Sequence, residues 1–142
     1  MQWLDTLRDN LKLRPWWMNL LMAFCAYMAI FYVPWDFLFK PVAQDQEVWF
    51  GILLTGGAAK ATEPLHWLIY AAGSLGFWKM KAWMFPWASL YTVQVAISMF
   101  MWQFLDERGQ GIVGTISALP FIILAIALWR SKPRFQGTDI GD

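Results

Sequence analysis

The sequence is dominated by long apolar runs with the charges pushed to their edges, and that leaves few folds open to it. Residues 16–39 carry one charged side chain, Asp36, while residues 82–105 and 111–129 carry none. At 1.5 Å per residue the first run makes a helix about 36 Å long, enough to cross a hydrocarbon core of about 30 Å with some tilt. The run Pro64–Trp78 is shorter, roughly 22 Å, so its helix either starts earlier with a kink at Pro64 or begins below the membrane surface. Val48–Thr55 rises only about 12 Å as a helix before Gly56-Gly57 end it, which suits a re-entrant half-helix or an interfacial helix. The pattern predicts an all-α polytopic membrane protein, four transmembrane helices in a bundle, with a short re-entrant or interfacial segment before the second span. Thr62 or Glu63 is placed to cap that span, with Pro64 in its first turn.

The flanks complete the plan. Residues 1–15 form an amphipathic segment, with Trp3, Leu4, Leu7 and Leu11 on one side of a helix suited to a membrane surface. Residues 16–130 form the transmembrane domain, with Pro34 expected to bend the far end of the first span and Pro120 to kink the fourth. Residues 131–142 read as a polar, mobile tail. The run from Trp16 is too long for the apolar part of a cleaved signal and is expected to be retained as the first span.

Composition agrees and excludes other classes. The 142 residues are 58% hydrophobic and 15% charged, whereas a soluble domain is roughly a quarter charged. No basic stripe marks a nucleic-acid partner. The single cysteine, Cys25, excludes a disulfide framework or a Cys-based metal site.

Charge sets the expected orientation. With both termini cytoplasmic, Arg8, Lys12, Arg14, Lys79, Lys81, Arg130, Lys132 and Arg134 fall inside, while Lys40, Lys60 and Arg108 fall outside. That is a strong positive-inside bias, and it points to a plasma membrane, most simply a bacterial inner membrane. Tryptophans fall at both ends of the runs, as an aromatic belt requires.

The candidate chemistry lies in the outer half. Asp36 ends the first span, and Glu63, His66 and Tyr70 follow helical spacing on the second. Tyr91, Gln94 and Ser98 do so on the third, with Gln94 near mid-depth. Two readings stand. Such polar groups serve as interhelical hydrogen-bond glue; alternatively they line a pocket for an apolar or cationic amphiphile. In that pocket Asp36 and Glu63 supply charge, and Trp35, Trp67, Tyr70, Tyr91 and Trp102 supply aromatic walls. His66 adds a group that titrates near neutral pH and is expected to reach Asp36, Gln94 or Ser98. Glu63-x-x-His66 has the spacing of di-iron bundles, but a second motif and further glutamates are missing, so neither a metal nor another cofactor is expected. No nucleophile has a local base, since Cys25 lacks one and Ser98 would need His66 from another helix.

Val33-Pro34-Trp35-Asp36, the Glu63-Pro64 step and the last helix from Pro120 to Ser131 resemble the EXPERA, or emopamil-binding, family of four-span membrane proteins. The resemblance implies binding of sterol-like, lipid-like or cationic amphiphilic molecules, and in some members sterol isomerisation. The family's second-span carboxylate lies about three turns in, where this chain has Ala71–Gly76, so only Glu63 can stand in. The expected function is therefore a non-catalytic accessory subunit or membrane module, with EXPERA-like ligand binding as the alternative. The expected partners are the lipid bilayer, a larger membrane complex or a second copy of the chain, and an amphiphilic small molecule.

Overall fold

The computed structural model describes residues 1–136, and these are mostly helical. The amphipathic helix α1 (Gln2–Lys12) buries none of its residues. Pro15 then opens α2 (Trp16–Tyr27), where its missing N–H costs nothing. A π-helical turn, Met28–Tyr32, leads into α3 (Val33–Phe39) with Pro34 in its first turn. A proline ring crowds the carbonyl four residues back and offers no N–H, and widening the preceding turn accommodates both. The three pieces run from Trp16 to Phe39. With α5 (Met84–Leu105) and α6 (Ile112–Arg130) they make three helices long and apolar enough to cross a membrane.

Two expectations about the next stretch need correction. Val48–Thr55 is not a half-helix. It lies in an antiparallel hairpin of β1 (Gln46–Trp49) and β2 (Ile52–Thr55), with Gln46 opposite Thr55 and Trp49 opposite Ile52. Phe50 and Gly51 form the two-residue turn, both with positive φ (49° and 83°), as the twist of a tight hairpin demands. The following helix, α4, begins at Gly56 and runs to Trp78 with Pro64 inside it, the earlier start that the shortness of the run Pro64–Trp78 allowed. Thr62 and Glu63 are therefore not caps: the Thr62 hydroxyl donates back to the Ala59 carbonyl, and Glu63 is buried in the helix body.

Packing is uneven around the bundle. α2 lies against α4, and α5 lies most extensively against α6, while α4 and α5 touch sparsely. At one end the two pairs are joined by an apolar cluster of Met18, Met22, Cys25, Phe77, Met80, Met84, Leu128 and Phe135. There α4 and the start of α5 come so close that a Cβ on Gly76 would sit 2.2 Å from the Met84 sulfur. Phe135 lies on a short final helix, α7 (Lys132–Gln136), and is 1% exposed. The expected mobile tail is thus anchored as far as Gln136, and its remainder lies outside the described residues. Buried Arg14 closes the same end by donating to the Phe77 (2.8 Å) and Trp78 (3.1 Å) carbonyls, the open C-terminus of α4.

At the opposite end the hairpin joins the pairs. Side chains alternate across a strand, so Gln46 and Val48 face α5 while Glu47 and Trp49 face α4. The Gln94 side chain acts toward the hairpin as a further strand would: its Oε1 accepts the Phe50 N–H (2.9 Å) and its Nε2 donates to the Val48 carbonyl (3.2 Å). The Ser98 hydroxyl donates to that carbonyl too. Gln46 donates to Asp106 after α5 and accepts from the Trp102 indole.

Candidate functional site

Charge that the sequence scatters over residues 36–63 is collected at the hairpin end. Asp36 lies in the first turn of α3, Lys40 follows that helix, Asp45 precedes β1, and Lys60 and Glu63 share a face of α4. The Lys40 ammonium contacts Asp45 Oδ1 at 2.8 Å and Asp36 Oδ2 at 3.3 Å. The Lys60 ammonium is ringed by oxygens: the Asp36 and Lys40 carbonyls at 2.6 and 3.1 Å, Glu63 Oε1 at 3.3 Å and Asp45 Oδ2 at 3.5 Å. Asp36, Asp45 and Glu63 each bring a carboxylate oxygen within 4.8 Å of the others, a spacing that could hold a metal ion. The Lys60 ammonium already lies against two members of this set, Asp45 and Glu63.

The cluster has more carboxylates than cations. Asp36, Asp45 and Glu63, all buried, share two lysines. Asp45 Oδ2 and Glu63 Oε2 are both buried without a hydrogen-bond donor, and the two carboxyl groups lie in hydrogen-bonding range of each other. Two ionised carboxylates are acceptors only, so such a pair requires one proton between them. Burial pushes the Asp45 carboxyl upward, but the hydrogen bonds from Glu63 and Lys40 outweigh it and leave Asp45 below its ordinary range. Burial likewise works against the Lys40 ammonium, and its bonds to Asp45 and Asp36 prevail and raise it.

Beside this cluster is a cavity of about 160 Å³, lined by Met28, Tyr32, Val33, Asp36, Glu47, Glu63, His66 and Tyr70. It lies between the π turn and α3 on one side and α4 on the other, with β1 as the third wall. Its size is close to that of an apolar protein void of about 150 Å³ that holds one benzene ring. Asp36 and Glu63 are its buried acids, while Glu47, His66 and Tyr70 are half-buried and Tyr32 is exposed. The arrangement offers carboxylates and π faces to a small positive group.

The predicted site residues divide between this cavity and the scaffold. Asp36, Glu63, His66 and Tyr70 come together at it. His66 does not reach Asp36, Gln94 or Ser98; its Nδ1 lies 3.4 Å from Glu47 and its ring stacks on Trp49 at 4.4 Å. The hairpin is inserted between α4 and α5 and intercepts it. Gln94 and Ser98 hold that hairpin, and Tyr91 meets Tyr70 edge-on from α5. Trp35 is exposed, Trp67 donates across to the Ala29 carbonyl, and Trp102 serves Gln46, so none of these three lines the cavity. Sequence reasoning missed Glu47, Asp45, Lys40 and Lys60 as members of the site, along with the Tyr32 wall. The pair Phe50-Gly51 between two apolar runs was the available signal, since a hairpin there returns Glu47 to α4.

No family model, curated protein or solved structure matches the chain.

Proposed function

We propose that the chain is a non-catalytic membrane module that holds the positive head of an amphiphile in the cavity beside Asp36 and Glu63. One observation carries this reading: a small void faced by three carboxylates and two tyrosines, with the resident lysines already committed to the neighbouring cluster. The void admits a head group and not a long chain, so the tail lies along the bundle exterior. In this reading α4 is the second of four spans, since its 23 residues make roughly 34 Å of helix. The hairpin is re-entrant in the outer half, with Gln94 and Ser98 supplying the backbone partners that lipid cannot. Both termini are cytoplasmic in a bacterial plasma membrane, and binding is EXPERA-like in style.

Titration of the purified chain in mild detergent with decyltrimethylammonium tests the binding. Saturable uptake is expected, weakened at least about tenfold, or 1.4 kcal/mol, in Glu63→Gln and Asp36→Asn variants that melt cooperatively. Uptake no stronger than that of decanol contradicts it. Orientation is tested with cysteines at exposed Ala43, Glu107 and Lys132 in a Cys25-free background. An impermeant reagent applied to sealed cells is expected to label the first two alone.

A second reading, an accessory subunit of a larger complex, is favoured by the bare hairpin tip, where Phe50 is 76% and Ile52 65% exposed. Native mass spectrometry of the gently solubilised protein separates the two readings. A polypeptide at unit stoichiometry supports the subunit, and a bound small cation supports the binder.

A further inference from the structure

We infer that the site exchanges a proton for its cation: an ammonium entering the cavity expels the proton shared by Asp45 and Glu63. The inference rests on the cation-binding reading above and adds a coupling to it. Of the two carboxyl groups in the pair, Glu63 is the one that also lines the cavity, so a charge placed there acts directly on the shared proton. A nearby positive charge favours the ionised form of a carboxyl group. Site and solvent then balance. The O–H bond between the two carboxyls breaks, its electrons stay on carboxylate oxygen, the proton leaves to water, and the ammonium replaces its charge.

The surrounding groups allow this exchange. Asp36 on α3 and Lys40 after it are paired with each other, and Lys60 bonds Glu63 Oε1, leaving Oε2 without a donor other than the shared proton. Glu47 on β1 contacts His66 on α4 at 3.4 Å beside the cavity, and Tyr32 of the π turn completes the wall. Two ionised carboxylates packed together without the proton repel one another, which opposes its loss until a cation arrives. The empty site therefore keeps its proton and the filled site does not.

Calorimetry of the full chain in detergent tests this with decyltrimethylammonium, which has no proton to lose. Heats are measured at one pH in two buffers of different ionisation enthalpy, and Kd is followed from about pH 6 to pH 9. Full coupling gives release of about one proton per cation and a Kd that tightens by about tenfold per pH unit until the pair is ionised. Asp45→Asn gives Glu63 a permanent amide donor and is expected to release no proton on binding. His66→Gln is expected to keep the release, because the proton belongs to the carboxyl pair. Tight binding with buffer-independent heat and a flat Kd overturns the exchange while leaving the binding reading intact. Loss of release in His66→Gln overturns it as well, by moving the proton to the imidazole. Absence of binding at every pH overturns the binding reading, and the exchange falls with it.

Discussion

The two ends of the bundle solve the same problem with opposite chemistry. At the end where α2 begins and α4 finishes, α2, α4, α5, α6 and α7 are sealed by methionine, phenylalanine and leucine side chains, and one buried arginine caps α4. At the hairpin end the elements are tied by lysines and carboxylates, and a void is left beside them. Burial of apolar side chains is non-directional and tolerates rearrangement. A buried ionic cluster costs desolvation, needs precise geometry, and is often no more stabilising than apolar side chains of the same volume. The apolar end is therefore the scaffold, and the ionic end is where the molecule keeps charge, space and a titratable pair available.

Breaking the ionic end is expected to have the largest effect. Lys60→Met removes an ammonium with four oxygen neighbours and leaves three buried carboxylates facing Lys40 alone. Loss of one partner from a buried ion cluster costs about 3–5 kcal/mol. Unfolding in detergent is expected to show a loss of this size; a change below about 1 kcal/mol, the range of exposed pairs, would place the cluster in solvent.

The apolar end is expected to yield somewhat less and in a different way. Phe77, 2% exposed, packs on Phe135, and Phe77→Ala opens a cavity costing about 3 kcal/mol. That loss is expected to be the same at pH 5 and pH 8, because the residues around it are apolar. A strong pH dependence would mean that the two ends are not independent.

How much of this could be read beforehand follows from the same contrast. The apolar runs announced the three helices long and apolar enough to cross a membrane, because length and the absence of charge leave few alternatives. The segment Val48–Thr55 was ambiguous, since a short apolar run fits a strand or a buried helix equally by periodicity. A helical reading separates Glu47 from His66, whose pairing exists because β1 turns Glu47 and Trp49 to one face. Lys40 and Lys60 count in the sequence only toward the outer-side charge, and Asp45, between two glutamines, gives no signal of a site. Only the closure of the hairpin base, where the Gly56 N–H bonds the Asp45 carbonyl at 2.9 Å, brings them into one cluster. Phe135 reads in the sequence as one aromatic residue in a polar tail and gives no sign of its burial.

A smaller effect is expected on acidification. The Asp45 carboxyl group lies below its ordinary value in the fold, despite burial, through its bonds to Glu63 and Lys40. Its stabilisation is complete above the unfolded value of about 3.9 and is lost as the pH falls through the lower folded value. Backbone amides of β1 and β2 are expected to lose hydrogen-exchange protection below about pH 4, ahead of those at the terminal end of α2 and α4. Simultaneous loss at both ends would contradict the division.

The most direct test of the claim that the hairpin end holds a cation is photolabelling in the membrane. A decyltrimethylammonium analogue with a diazirine next to its nitrogen is irradiated with the native protein, and the labelled residues are located by peptide mass spectrometry. Label is expected on Met28, Tyr32, Glu63, His66 and Tyr70, suppressed by excess unlabelled decyltrimethylammonium and absent in Glu63→Gln. Label spread over exposed apolar positions such as Leu20, Leu68 and Ile123, undiminished by competitor, would contradict the account.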